Sequence, residues 1–167
     1  TLTTDIREGT LATNKYTVDT SDANQRYLIE NDLADVNTLT VSVQNSSTDS
    51  TTTTYTKASD LGAVTATSKV YYLEQAEDGK YEVIFGDGVL GNKLSDGNIV
   101  ILEYIVTNKT DSNGAKTFGL QGSVGGFTDV SITTNSVSQG GSEAEDDESV
   151  KFNAPLSFVA QDRAVTT

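Results

Sequence analysis

Asn98-Ile99-Val100-Ile101-Leu102-Glu103-Tyr104-Ile105-Val106-Thr107 is the longest stretch of near-continuous apolar character in the chain. Its β-branched residues favour an extended backbone, and its length fits a strand buried among others rather than at an edge. Shorter runs around it alternate with a period of two. Leu39-Thr40-Val41-Ser42-Val43 sets apolar residues against hydroxyls, as a half-buried strand requires, Lys69 to Glu74 and Tyr81 to Phe85 follow the same rule less cleanly, and Phe127 to Ile132 alternates again. Asp78-Gly79, Asp87-Gly88 and Asp96-Gly97 mark turns at intervals of about nine residues, each glycine offering the positive φ of a tight turn. The expected fold is mainly β (α+β): antiparallel strands in a meander or sandwich-like body, with a short helical C-terminal segment.

Two polar tracts interrupt the strands. Asn45 to Thr56 is almost all Ser, Thr and Asp, and reads as a loop running into a strand that ends at Tyr55-Thr56-Lys57. Thr133 to Gly141, with its paired glycines, reads as a linker. Beyond it Ser142-Glu143-Ala144-Glu145 matches a capping box, and Asp146, Asp147 and Glu148 supply first-turn negative charge. The helix should end at Asn153-Ala154-Pro155, and a second short turn should run from Pro155 to Gln161. Residues 1–140 are thus expected to be one β-rich structural domain. Residues 141–167 are expected to be a linker and helical segment that begins a following region, because the chain lacks an initiator Met and stops abruptly at Thr167.

Composition restricts the chemistry. The 167 residues contain no Cys, His, Met or Trp, which removes thiol nucleophiles, Ser-His-Asp triads and zinc sites built on His or Cys. A net charge of −13 opposes nucleic acid or an anionic membrane surface as the main partner. No apolar run approaches the roughly 20 residues of a membrane helix. Asp87, Asp96 and Glu103 are the carboxylates a glycosidase-like pair would draw on, but two of them sit in Asp-Gly turns, where Asp ordinarily bonds local amides. The acids from Glu143 to Glu148 are contiguous, unlike the alternating ligands of a calcium loop, and a helix start explains them. The nine-residue spacing of Asp-Gly pairs lacks the glycine framework of a calcium-binding nonapeptide repeat. Gly86-x-Gly88-x-x-Gly91 matches a dinucleotide fingerprint by letters only, since a turn and a strand follow it instead of a helix. No catalytic, cofactor or metal-binding residue is assigned, and no cofactor is expected.

Tyr81-Glu82-Val83-Ile84-Phe85-Gly86-Asp87-Gly88-Val89-Leu90-Gly91, then Leu94-x-x-Gly97-Asn98-x-Val100 and Glu103-Tyr104, resembles the baseplate J-like family of contractile phage tails. Gly140-Gly141-x-Glu143, Asp147-Glu148-Ser149, Asn153-Ala154-Pro155, Phe158 and Gln161-x-Arg163-Ala164-Val165-Thr166 resembles the family's second signature in the same order. Together the two motifs cover about half of the chain. On this resemblance Phe85, Gly86, Asp87, Gly88, Gly91, Gly97, Asn98, Tyr104, Gly141, Pro155 and Arg163 form a structural signature rather than an active site. The resemblance implies a non-enzymatic component of the virion's tail baseplate, assembled in the host cytoplasm. Its implied partners are other baseplate wedge subunits and copies of itself, a homo-oligomer in the full-length chain, with neither nucleic acid nor membrane insertion. Leu156, Phe158, Val159, Arg163 and Val165 are the expected assembly contacts, while Phe85, Leu90 and Tyr104 are expected in the core. The alternative reading is a carbohydrate-binding, tail-associated adhesion module using tyrosines such as Tyr71, Tyr72 and Tyr81. A carboxylate-based glycan hydrolase or lyase is the third.

Overall fold

A computed structural model describes residues 3–22, 25–76, 79–143 and 148–153. Their contacts divide into two units, Thr1–Asn108 and Lys109–Thr167. Among the described residues the first unit holds seven strands: β1 (Thr10–Thr17), β2 (Tyr27–Ile29), β3 (Ala34–Gln44), β4 (Thr52–Lys57), β5 (Val70–Gln75), β6 (Tyr81–Phe85) and β7 (Ile99–Val106). They form one mixed, nearly barrel-shaped sheet in the order β1-β7-β3-β4-β5-β6-β2.

The apolar run Asn98 to Thr107 forms β7, which lies between β1 and β3, antiparallel to both. Being paired on both edges explains why its sequence is so continuously apolar. Val100, Leu102 and Tyr104 point inward from β7. Across the ladder they meet Val43, opposite Val100, and Val41, opposite Leu102. Ile29, Tyr55, Tyr71 and Val83 add one inward residue each from β2, β4, β5 and β6. Near the start of β3 the register jumps from Asp35↔Ile105 to Thr40↔Glu103. There the Thr38 hydroxyl stands in for a ladder carbonyl and accepts the Ile105 N–H at 2.9 Å.

The body is neither a plain antiparallel meander nor two stacked sheets. β4 and β5 run parallel, joined by only Thr56↔Val70 and Lys57↔Tyr71, with the 3-10 turn Leu61–Ala63 in the connection between them. No strand forms between Asp87-Gly88 and Asp96-Gly97. Gly79, Gly88 and Gly97 do take positive φ, but the second and third sit in one long β6–β7 connection instead of successive hairpins.

In the second unit the alternating segment Phe127 to Ile132 is not a strand; it contributes a single bridge, Val124↔Phe127. Alternation alone gives no ladder without a neighbour to supply the other half of each hydrogen bond. Residues 133–141 carry no helix or strand. Residues 148–153 are helical, and the expected stop at Ala154-Pro155 lies outside the described residues. The interior of the capping box (Ala144 and Glu145) and the expected turn from Pro155 to Gln161 lie outside the described residues.

Leu102 is fully buried at the centre of the ladder. Truncating it to Ala should lower the stability of the first unit by about 3 kcal/mol. Urea denaturation followed by tyrosine fluorescence measures this, and a midpoint unchanged from the parent would contradict the placement of β7 at the core.

Candidate functional site

The segment joining β6 to β7 gathers most of the residues singled out from the sequence. Phe85 ends β6, half-buried against the core, with its ring edge-on to Tyr27 and Tyr55 at centroid distances of 5.5 and 5.3 Å. The chain then doubles back on itself. Gly86 lies so close to Gly91 that a Cβ on Gly86 would overlap the Gly91 backbone, while Gly91 itself adopts a φ of +95°. Glycine is required at both places, at one by space and at the other by conformation.

Asp87 holds the turn between them. Its Oδ1 accepts the N–H groups of Val89 at 2.8 Å and Leu90 at 3.0 Å, and these amides, Leu90's foremost, hold its carboxyl below the ordinary aspartate range. The Gly88 N–H closes on the Gly91 carbonyl at 3.1 Å. Past the turn the loop is fastened to the sheet. Gly91 and Asn92 donate to the carbonyls of Thr65 and Ser68, and the Asn92 side-chain amide donates to the Tyr55 hydroxyl at 2.9 Å. Leu94 packs into the core.

Gly97 and Asn98 fasten the other end. The Gly97 N–H reaches the Val18 carbonyl, and the Val18 N–H returns to the Asn98 carbonyl. The Asn98 side chain accepts from Ser95 N–H and donates to the Asn45 carbonyl, both at 2.8 Å. Asn98 thereby joins the β6–β7 and β3–β4 connections to the end of β1. Tyr104, buried on β7, donates its hydroxyl to Asn14 on β1 at 2.7 Å. Phe85, Gly86, Asp87, Gly88 and Gly91 thus meet in one corner, Gly97 and Asn98 in a second, and Tyr104 lies inside the sheet. Gly141 is in the other unit, where its N–H and carbonyl are both bonded by the Asn113 side chain. Pro155 and Arg163, and the expected assembly contacts Leu156, Phe158, Val159 and Val165, lie outside the described residues.

One expectation fails in this corner. Leu90 is 48% exposed beside Val89 at 70%, so the tip of the loop presents apolar side chains outward instead of burying them. Asp87 Oδ1 holds the backbone N–H groups of Val89 and Leu90 themselves, and in the turn so closed both side chains stand outward.

The three carboxylates of the hydrolase reading have separate local environments. Asp87 is engaged as above, Asp96 accepts from the Thr20 N–H and hydroxyl, and Glu103 projects from β7 on the opposite face from Leu102 and Tyr104. Among the described residues no group of three or more carboxylates is placed to hold a metal ion. Of the tyrosines of the adhesion reading, Tyr71 is buried and Tyr72 gives its hydroxyl to the Leu90 carbonyl. A depression lined by Asn31, Asp32, Ala34, Gly79, Lys80 and Tyr81 encloses about 170 Å³, less than the ~300 Å³ at which ligand pockets begin.

Two groups of residues escaped the sequence reading. The Asn113–Gly141 pairing is one, since nothing in the sequence ties residues so far apart. The exposed Val89-Leu90 tip is the other: the Asp87-Gly88 pair signals a turn there, but not the direction in which the turn aims those side chains.

Gly86→Ala should destabilise the first unit by about 3 kcal/mol, through overlap with backbone that cannot retreat, against about 1 kcal/mol for Gly97→Ala, where the added methyl meets open space and only the φ of +77° is strained. Equal shifts in urea midpoint would rule out the close approach of Gly86 and Gly91. Asp87 also gives the loop a pH dependence. Its folded carboxyl titrates below the ordinary 3.8, so its stabilisation is complete above that value and is lost as the pH falls through the lower folded one. A carboxyl NMR titration should place its midpoint below 3.8; a midpoint at or above it would mean that the Val89 and Leu90 amides do not bind the carboxylate.

No family model matches the chain. A curated relative does: the chain is 28% identical over 123 residues to the baseplate wedge protein gp6 of Enterobacteria phage T4. The match takes in 60% of this chain and 19% of the relative, so the chain spans about a fifth of the length of the protein it resembles. The similarity supports a distant, baseplate-like relationship.

Proposed function

We propose that this chain is a structural module of a contractile-phage tail baseplate, acting by protein–protein assembly as part of a wedge subunit. The observation that carries the reading is the similarity to the phage T4 wedge protein. Membership of the baseplate J-like family is part of the proposal and rests on the two ordered motifs. The physical character of the corner is in keeping with it. Its glycines and its Asp87 and Asn98 side chains are committed to the chain's own backbone, which is what a fold signature does and a reactive site does not.

On this reading the chain is not an enzyme. Its partners are other wedge subunits and copies of itself, its place is the virion baseplate, and assembly happens in the host cytoplasm. The work is geometric: a stiff body presents loop tips and strand edges to its neighbours. The exposed Val89 and Leu90, set on a turn that Asp87 holds rigid, form a small apolar knob of the kind that docks into a neighbour's pocket.

Antibody raised against the chain should label the baseplate end of contractile tails in electron micrographs of the source virions. Label on the tail tube, on the fibres or nowhere on the particle would overturn the reading.

A further inference from the structure

The second unit contains a β-arm that is formed at both ends and open between them. At the tip, Gly125 and Gly126 have φ of +58° and +87°, the double positive φ of a type I′ hairpin turn. Val124 and Phe127 exchange both backbone hydrogen bonds across it, each at 3.0 Å. At the base a clasp is closed: Gly114 N–H to the Ser138 carbonyl at 2.8 Å, Ser138 N–H to the Ala115 carbonyl at 3.0 Å, and the Asn113 side chain to both backbone groups of Gly141. Lys109 and Thr110 extend the clasp by binding the Glu143 carboxylate. Between clasp and tip, residues 116–123 and 128–137 make no hydrogen bond within the described chain.

The leg after the tip, Phe127-Thr128-Asp129-Val130-Ser131-Ile132-Thr133, has a strand's alternation and a strand's composition, yet all of it is exposed, with Phe127 at 71% and Val130 at 40%. A lone two-stranded ribbon is at best marginal in water, and three or more strands are needed for it to hold. The arm needs another strand. Its charge indicates whose. Residues 109–141 carry Lys109 and Lys116 against Asp111 and Asp129 and are neutral, in a chain of net charge −13. Two copies of so acidic a chain meet with least repulsion on this neutral segment, whereas a basic partner would be drawn to the acidic remainder.

We propose that residues 127–133 pair antiparallel with the same residues of a second copy, about a two-fold axis at Val130. In that register Val130 faces its own symmetry mate, Thr128 faces Ile132, and Asp129 faces Ser131. An axis at Asp129 would set two carboxylates against each other, which opposes pairing. Thr128, Val130 and Ile132 lie on one side of the strand, so pairing assembles them into one β-branched strip. The two arms together then supply four strands. This inference rests on the self-assembly reading above and names the surface that carries it.

The absence of native cysteine makes the test direct. In the full chain carrying Val130→Cys, residues at the axis lie ~4.5–5.5 Å apart between Cα atoms, inside the range of a disulfide. Phe127→Cys places its sulfurs about 20 Å apart. Under mild oxidation Val130→Cys should form covalent dimer at least ten times faster than Phe127→Cys. Val130→Asp, which sets like charges across the axis, should weaken the dimer seen by sedimentation on the order of tenfold. If dimer forms but both cysteines cross-link alike, or Val130→Asp leaves it unchanged, the arm pairing is wrong while self-assembly stands. If the chain stays monomeric at all concentrations and neither cysteine cross-links, both fail. Each substituted residue is exposed, so an unchanged urea midpoint separates lost pairing from lost folding.

Discussion

Closure of the sheet depends on Tyr16. The two ends of the strand order, β1 and β2, share no ladder, and side chains bring them together: Gln25, bonded to the Thr17 carbonyl and the Tyr27 hydroxyl, and Tyr16 in the interior. Its ring stands edge-on to Tyr27 at 5.9 Å, and its hydroxyl donates to the Leu28 carbonyl at 2.7 Å. Burial, reinforced by the Glu30 carboxylate beside it, pushes the phenol up to about 12, so it remains a donor throughout the neutral range. From Tyr27 the edge-on contacts continue to Phe85 and then Tyr55, crossing from β2 to β6 to β4. An aromatic series of this kind fills an interior that small Val and Ile side chains would leave open, and each ring pair adds about 1 kcal/mol beyond the area it buries.

This aromatic series also ties the Gly86–Gly91 corner to the rest of the body. Phe85 belongs to both: its ring is the third member of the series, and its carboxyl side opens the Gly86–Gly91 turn. Asn92, just past that turn, donates to the hydroxyl of Tyr55, the fourth member. The corner is therefore fixed by the same groups that close the sheet, and a change in one is felt in the other.

The sequence was most readable where structure is local. β6 and β7 fall within the runs picked out by alternation or by continuous apolar character, β5 overruns its run by one residue and β3 contains its run Leu39 to Val43, because burial of one or both faces is written into every second residue. Strand order was not readable. The parallel β4–β5 pairing rests on two residue pairs and a crossover, and no local pattern distinguishes it from a hairpin. β1 was missed for a related reason: Thr10–Thr17 has only Ala12, Asn14 and Tyr16 facing inward, and an asparagine bonded to Tyr104 does not look like a core position. In the corner, the turn role of Asp87 was legible from Asp-Gly chemistry, but the exposure of Leu90 was not, since it follows from how the turn is aimed. Phe127 to Ile132 shows the opposite failure: a correct local pattern with no partner strand among the described residues.

The acidity of the chain has a structural origin that bears on how it can assemble. Asp19, Asp35, Asp49, Asp60 and Asp87 each accept the N–H of the residue two positions on, the Asx turn that closes a loop with a side chain. Asp49 is held at about 2 by Asn45 and Thr51, so this charge persists well into acid. Aspartates chosen for turns bring negative charge with them whether or not a partner wants it, and a loop-rich body accumulates it. Such a body repels its own copies over most of its surface, to a degree that falls with salt. The self-association proposed above would then concentrate on segments whose turns are made by other means. The tip at Gly125-Gly126 is one, since paired glycines form the turn without a carboxylate, and the arm on either side of it carries the exposed Val124, Phe127, Val130 and Ile132. Turn chemistry thereby sorts the surface into a charged part that keeps copies apart and a neutral part on which they can meet.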